Sequence, residues 1–382
     1  MIYNINIDRE AILCDFVSLI WSKMKYTSTK IFKKGLLAME EKEVIKLEND
    51  FWLIHFPIMF FASVMGVGGF SLVVNKSMKI FALQESLGWI FVFCVGVSVC
   101  LFVLIAGLYL LKIFKYPQAF LKEIKHPVRI NFFAAVSVSI LIVLMLLLPF
   151  VPLWLVLTMF VVGAILQIIF SLYVVQYWFV NEMKQKMASP AWFIPIVGNL
   201  IVPLAGMNIN EFAGQMLIGH EILVFYFGMG SFFWILLSAS LFFRLVFGEN
   251  LPQKFLPTLF IFIAPPSIFG LDVLMMFKDY VQMISLYIIA SVSFSIALFF
   301  VFLMIGIAKV FKNLNFALSW WAFTFPMAAF SLCALELYSI SGSLFYEVCG
   351  IVGGILTACI VVFVGLRTLR AIKNREICVM EE

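Results

Sequence analysis

Ten uninterrupted apolar stretches, each long enough to cross a bilayer, restrict this chain to one kind of fold. They run roughly over residues 54 to 75, 88 to 114, 127 to 149, 151 to 178, 190 to 208, 218 to 245, 255 to 275, 280 to 309, 315 to 338 and 344 to 371. About 20 apolar residues in a helix span a hydrocarbon core. With 64% of residues hydrophobic and 12% charged, there is too little polar surface to dissolve such stretches in water. Backbone groups in lipid are satisfied only by a helix or a closed barrel, and these runs lack the alternation of barrel strands. The expected fold is an all-α integral membrane protein with a ten-helix domain over 54–371. A segment 1–53 precedes it and a tail 372–382 follows.

The basic residues orient the spans. With the N-terminus placed in the cytoplasm, 23 Lys and Arg fall on the cytoplasmic side and three (Lys76, Lys79, Lys278) on the other. The positive-inside rule then puts both termini in the cytoplasm of a multi-pass protein of the plasma (inner) membrane. The N-terminal segment is no secretory signal, because the apolar stretch Ala11 to Trp21 contains Asp15 and no cleavage site follows. Residues 31–50 mix charges with Leu36, Leu37, Val44 and Leu47, as an amphipathic helix on the lipid surface does.

The odd spans begin about 60 to 73 residues apart, each followed by a short outer connection and a returning even span. This repeat reads as five tandem helical hairpins. All five odd helices then run the same way, and a ring of them encloses an axial path, with the even helices outside.

Proline separates the same two sets. Pro57, Pro195, Pro203, Pro257, Pro265, Pro266 and Pro326 lie within odd spans, whereas the even spans hold only Pro152, at a first turn. Carbonyls freed by proline are tolerated at membrane depth only where protein or a water-filled cavity satisfies them, so kinked helices belong inside. Gly66, Gly68, Gly69, Gly198, Gly206 and Gly270 thin the wall of the same helices. Gly350 and Gly354 form a small-residue pair suited to close helix packing.

Charge narrows the traffic. No Lys or Arg lies mid-span, and the span acids Glu221, Asp272, Glu336 and Glu347 sit toward the outer ends, which disfavours a midplane carrier site for a dianion. The cytoplasmic side carries 23 basic against 14 acidic residues, and the outer side three against seven. A positive inner mouth concentrates anions. The pattern also excludes other classes: three scattered histidines without paired acids suit no membrane-embedded enzyme. Seven cysteines without C-x-x-C spacing make no disulfide frame or metal site, and neither a cofactor nor a nucleic-acid partner is expected.

Five ordered motifs then carry a resemblance. Phe56-Pro57-Ile58-Met59-Phe60-Phe61 with Gly66 opens the first span, and His126-Pro127-Val128-Arg129-Ile130-Asn131-Phe132-Phe133 the third. Trp192-Phe193-Ile194-Pro195-Ile196-Val197-Gly198-Asn199 lies in the fifth, Ala264-Pro265-Pro266-Ser267 in the seventh, and Trp320-Trp321-Ala322-Phe323-Thr324-Phe325-Pro326 in the ninth. Over about residues 54 to 371 the chain resembles the tellurite-resistance/dicarboxylate transporter family, which includes plant slow-type anion channels, a bacterial tellurite-resistance channel homologue, malate permeases and sulphite efflux pumps. The resemblance implies five inner helices around a central pore, a homotrimer with one pore per subunit, and a phenylalanine plug at mid-membrane in the ninth span. Phe325 matches that plug by its place before the helix proline, with Phe323 second.

The expected activity is therefore a channel for small monovalent anions such as nitrate and chloride. The rival is a proton-coupled dicarboxylate, sulphite or tellurite transporter of the same family. An apolar ring across an uncharged bore excludes water until it rotates aside. Pro57, Gly66, Pro195, Gly198, Pro203, Pro265, Pro266 and Pro326 are the candidate lining or kink residues, and Arg129 with His126 the candidate anion vestibule. Arg129 and His126 are equally suited to interfacial anchoring. Asn199 either offers its amide to the lumen or bonds a neighbouring helix, and His55 and His220 read as interfacial.

Overall fold

The computed structural model describes residues 52–312 and 314–378, so the expected amphipathic helix of the N-terminal segment lies outside the described residues. The chain divides after Ile54, and the unit His55–Glu382 carries everything below. Among the described residues, ten helices are long and apolar enough to cross a membrane. They are α1 (Ile58–Ile80), α2 (Gln84–Lys115), α3 (Arg129–Leu147), α4 (Leu153–Val180), α5 (Pro190–Ala213), α6 (His220–Phe247), α7 (Gln253–Met276), α8 (Met283–Gly306), α9 (Leu318–Ser341) and α10 (Leu344–Lys373). The protein is all-α among the described residues.

Burial alternates along the chain. Between 61% and 83% of the most apolar window is buried in each odd helix, against 22% to 33% in each even one. The odd helices touch in the cyclic order α1, α3, α5, α7, α9 and back to α1. Outside that ring α2 packs on α1, α4 on α3, α6 on α5, α8 on α7 and α10 on α9. The even helices turn apolar side chains outward, among them Phe93, Val103, Phe179, Ile235, Phe302 and Leu366. In water such a surface aggregates; in lipid it is solvated.

The two sets also differ in how they start. Every odd helix opens with 3-10 turns, at Ile58–Phe60, Arg129–Phe132, Pro190–Trp192, Gln253–Ile263 and Leu318–Phe323, whereas every even helix is α from its first turn. Proline explains three of these junctions. Pro195, the pair Pro265 and Pro266, and Pro326 stand in the first turn of the α portion of α5, α7 and α9. A proline there has no N–H to donate, so the α ladder cannot extend backward through it, and the upstream chain closes the tighter i to i+3 bonds instead.

The prolines are therefore placed differently from mid-helix kinks. Pro57 caps the opening turn of α1 and Pro257 lies inside the 3-10 stretch of α7. Of the odd-span prolines, Pro203 alone sits deeper than the first turn of an α-helical run. At the opposite ends, α5 and α9 stop on Gly214 and Gly342, both with φ of 64°, the left-handed conformation in which glycine alone carries no Cβ penalty.

Candidate functional site

The ring of odd helices encloses a cavity of about 60 Å³. Each odd helix contributes to its wall and no even helix does: Ala62 and Met65 from α1, Phe132 and Val138 from α3, Phe193 and Val197 from α5, Ile261 and Ile268 from α7, Trp321 and Phe325 from α9. Among the described residues, Ser319 brings the one hydroxyl in the lining, and no charged side chain reaches it. The lining falls mainly on the 3-10 turns and the first α turns. An apolar space of this size has no polar partners to hold water.

The two phenylalanine candidates part here. Phe325 lines the cavity and its ring lies against Gly69 of α1. Phe323, two residues earlier, is absent from the lining and packs edge-on with Phe260, Phe311 and Trp320. Of the remaining lining candidates, Gly198 and Pro326 border the cavity, whereas Pro57, Gly66, Pro195, Pro203, Pro265 and Pro266 stand outside the lining.

Gly66, outside the lining, and Gly198, within it, both meet neighbouring helices. A Cβ on Gly66 would stand 2.1 Å from Thr324 Oγ1, so that glycine lets α9 approach α1. A Cβ on Gly198 would fall 2.6 Å from Gln167 Nε2, so Gly198 makes room for an amide arriving from α4. That amide belongs to a buried polar belt joining α3, α4 and α5. Ser137 Oγ donates to Gln167 Oε1 at 2.6 Å, and Gln167 Nε2 donates to the Pro195 carbonyl at 2.8 Å. Ser171 Oγ donates to the same carbonyl at 2.6 Å, and Asn199 Nδ2 donates to Ser171 Oγ at 2.8 Å. Asn199 thus bonds a neighbouring helix. Pro266 is served in the same way, its carbonyl accepting from Ser293 of α8 at 2.6 Å.

His126 and Arg129 lie at the start of α3 and do not border the cavity. The exposed His126 accepts, through Nδ1, the backbone N–H groups of Val128 and Arg129 at 3.2 Å, and so caps the opening turn. Arg129 is half-buried. His55, just before α1, has its pKa lowered by burial first and then by the charges of Lys112 and Arg129.

Three groups escaped the sequence reading. Lys112 and Glu123, counted above among the charges of the cytoplasmic side, form a salt bridge at 2.6 Å and are 3% and 2% exposed. Glu123 also accepts the Ile58 N–H at 2.8 Å and the Tyr109 hydroxyl at 3.0 Å, while Lys112 Nζ donates to the Phe56 carbonyl at 2.6 Å. The pair ties the entry of α1 to the end of α2 and to the short helix Pro117–Ile124. Its two charges cancel, so the positive balance of that side is unchanged. Arg244 is likewise buried. Asp272 of α7 is fully buried, and neither carboxylate oxygen has a hydrogen-bond partner among the described residues. The usable signals were slight: a lone mid-span Gln167, and an acid placed before the end of its span.

Comparison with known proteins identifies the family. The family model described as voltage-dependent anion channel matches residues 55–369. The chain is 26% identical over 364 residues to the S-type anion channel SLAH2 of Arabidopsis thaliana, covering 90% of this chain and 65% of that protein. It is 27% identical over 302 residues to an uncharacterized transporter of Methanocaldococcus jannaschii, covering 76% and 87%. It is 22% identical over 356 residues to the malic acid transport protein of Schizosaccharomyces pombe, covering 85% and 80%. The chain thus spans just under two thirds of SLAH2, and 47% of the related Arabidopsis channel SLAH3. A match over most of its length, across all ten helices, makes this chain a member of the voltage-dependent anion channel family.

Proposed function

We propose that the protein is a channel for small monovalent anions, with one conduction path inside the ring of odd helices and Phe325 as its closure. The observation that carries this reading is the apolar cavity walled by all five odd helices, with the Phe325 ring in its lining. A narrow uncharged bore is closed by dewetting, and one aromatic ring suffices to interrupt a water column. Nitrate and chloride are the proposed ions, because the lining holds no fixed cation to bind a dianion. The excess of basic residues on the side where the odd helices begin, Arg129 among them, supplies anions to that mouth. That side is the cytoplasmic face of the plasma (inner) membrane, with both termini on it. The assembly proposed is a homotrimer with a path in each subunit.

Voltage-clamp recording of the full chain tests this. Phe325→Ala is expected to pass at least about tenfold more anion current than wild type in symmetrical chloride, whereas Phe323→Ala is expected to stay near the wild-type level. Equal, small currents in wild type and Phe325→Ala would remove Phe325 as the closure.

A second reading rests on Asp272. A buried carboxyl with no partner inside a span marks a proton-handling group by default, and the malic acid transport protein is among the relatives. In that reading the protein is a proton-coupled dicarboxylate, sulphite or tellurite carrier. Malate uptake that saturates, requires a proton gradient and is lost in Asp272→Asn would establish it.

A further inference from the structure

A second cavity, of about 300 Å³, lies where the chain leaves α4 and where α6 ends, on the side where the odd helices begin. It is lined by Lys184, Gln185, Lys186, Arg244, Gly248 and Glu249. Three cations thus face one carboxylate. Arg244 is 2% exposed, and its one hydrogen bond runs from Nη1 to the backbone carbonyl of Glu249 at 2.6 Å. Nε and Nη2 are buried without an acceptor among the described residues.

This arrangement is costly unless something fills it. A guanidinium carries five N–H donors and stays charged, so burying it with no ion pair and two donor nitrogens unsatisfied among the described residues is strongly unfavourable. The local chain maintains the arrangement. The Gly248 N–H donates to the Arg244 carbonyl at 2.9 Å, and a Cβ on Gly248 would stand 2.6 Å from that oxygen. Only glycine permits the tight turn that brings the Glu249 carbonyl back onto Arg244.

We propose that this cavity is a binding site for a phosphate oxyanion, namely the headgroup phosphate of an anionic phospholipid. Arg244 donates two further hydrogen bonds to the phosphate oxygens in the fork geometry that suits them, and Lys184 and Lys186 add charge from the rim. The lipid source follows from the flanks. Phe179 and Val180 at the end of α4, and Phe243 and Phe247 beside Arg244 and Gly248 in sequence, are exposed apolar side chains at the outer surface. Acyl chains lie against such side chains while the headgroup reaches the basic pocket. The proposal is independent of whether the protein is a channel or a carrier.

Thermal unfolding of the purified full chain in detergent tests it, with phosphatidylglycerol, phosphatidylcholine and inorganic phosphate titrated separately. Phosphatidylglycerol is expected to raise the melting temperature saturably. Lys184→Gln/Lys186→Gln is expected to need about fivefold more of it or worse, and Arg244→Gln to lose the effect. Should Arg244→Gln not fold, the rim lysine pair still carries the test. Stabilisation by inorganic phosphate alone, lost in the same variants, would keep the oxyanion site and overturn the lipid source. An unchanged phosphatidylglycerol midpoint in the lysine variant would overturn the proposal.

Discussion

The Cδ2 atom of Phe325 in α9 stands 3.0 Å from the position a β-carbon on Gly69 of α1 would take. One turn earlier in α1, Gly66 stands in the same relation to Thr324. Two successive residues of α9 therefore rest on two glycines of α1, so the candidate closure is seated against bare backbone. The Phe325 side chain is free of any fixed polar partner and is positioned by packing alone.

That seat predicts an energetic coupling. Gly69→Ala is expected to lower stability by about 1–3 kcal/mol through overpacking. On a Phe325→Ala background the penalty should shrink by at least about 0.5 kcal/mol. It should not vanish, because Ala328 Cβ also lies 3.1 Å from the added methyl. Unfolding midpoints of the four proteins in one detergent check this; additive effects would show that the ring does not bear on Gly69.

Ion preference follows from the same lining. An ion crossing a wall without fixed cations loses part of its hydration with little in return, so the less strongly hydrated ion passes more easily. Bi-ionic reversal potentials of Phe325→Ala are expected to show nitrate more permeant than chloride. The opposite order would mean that a polar group outside the described lining sets selectivity.

The Lys112–Glu123 pair should behave as a buried ion pair. Removing one partner, as in Lys112→Met or Glu123→Leu, leaves an uncompensated buried charge and is expected to cost about 3–5 kcal/mol. The double replacement should recover a large part of that loss. Recovery remains incomplete because the Ile58 N–H and the Phe56 carbonyl lose their partners. Chemical-denaturation midpoints of both single variants and the double variant provide the comparison.

Acidification acts through His55. Its folded pKa lies below the ordinary value of about 6.5, so the unfolded chain binds a proton more readily than the folded one. Its contribution to stability is therefore present above about pH 6.5 and is lost as pH falls through the folded pKa. Wild type should lose more melting temperature between pH 7.5 and 5 than His55→Gln does. Equal losses would assign the acid sensitivity to other groups.

The spans were readable because a helix in lipid must satisfy every backbone group internally, and the apolar runs that result are local in sequence. The inner set was readable too, since proline recurs at the starts of alternate helices. Why it recurs there was not. A proline in an odd span looks like a kink until the chain upstream of Pro195, Pro265 and Pro326 is seen to run as 3-10 turns. Gly66 and Gly198 look like wall-thinning residues until Thr324 and Gln167 are found against them.

By itself the sequence determined the number of spans and the family, because each depends on composition or on short ordered motifs. Tertiary structure alone decided which side chains border the cavity, that Lys112 and Glu123 neutralise each other away from solvent, and that Asp272 and Arg244 are buried with unfilled hydrogen-bonding capacity. A charged residue near the end of a span carries no local mark of being solvated, paired or enclosed. That outcome is set by helices distant in sequence, and the free energy of a charge depends above all on what surrounds it.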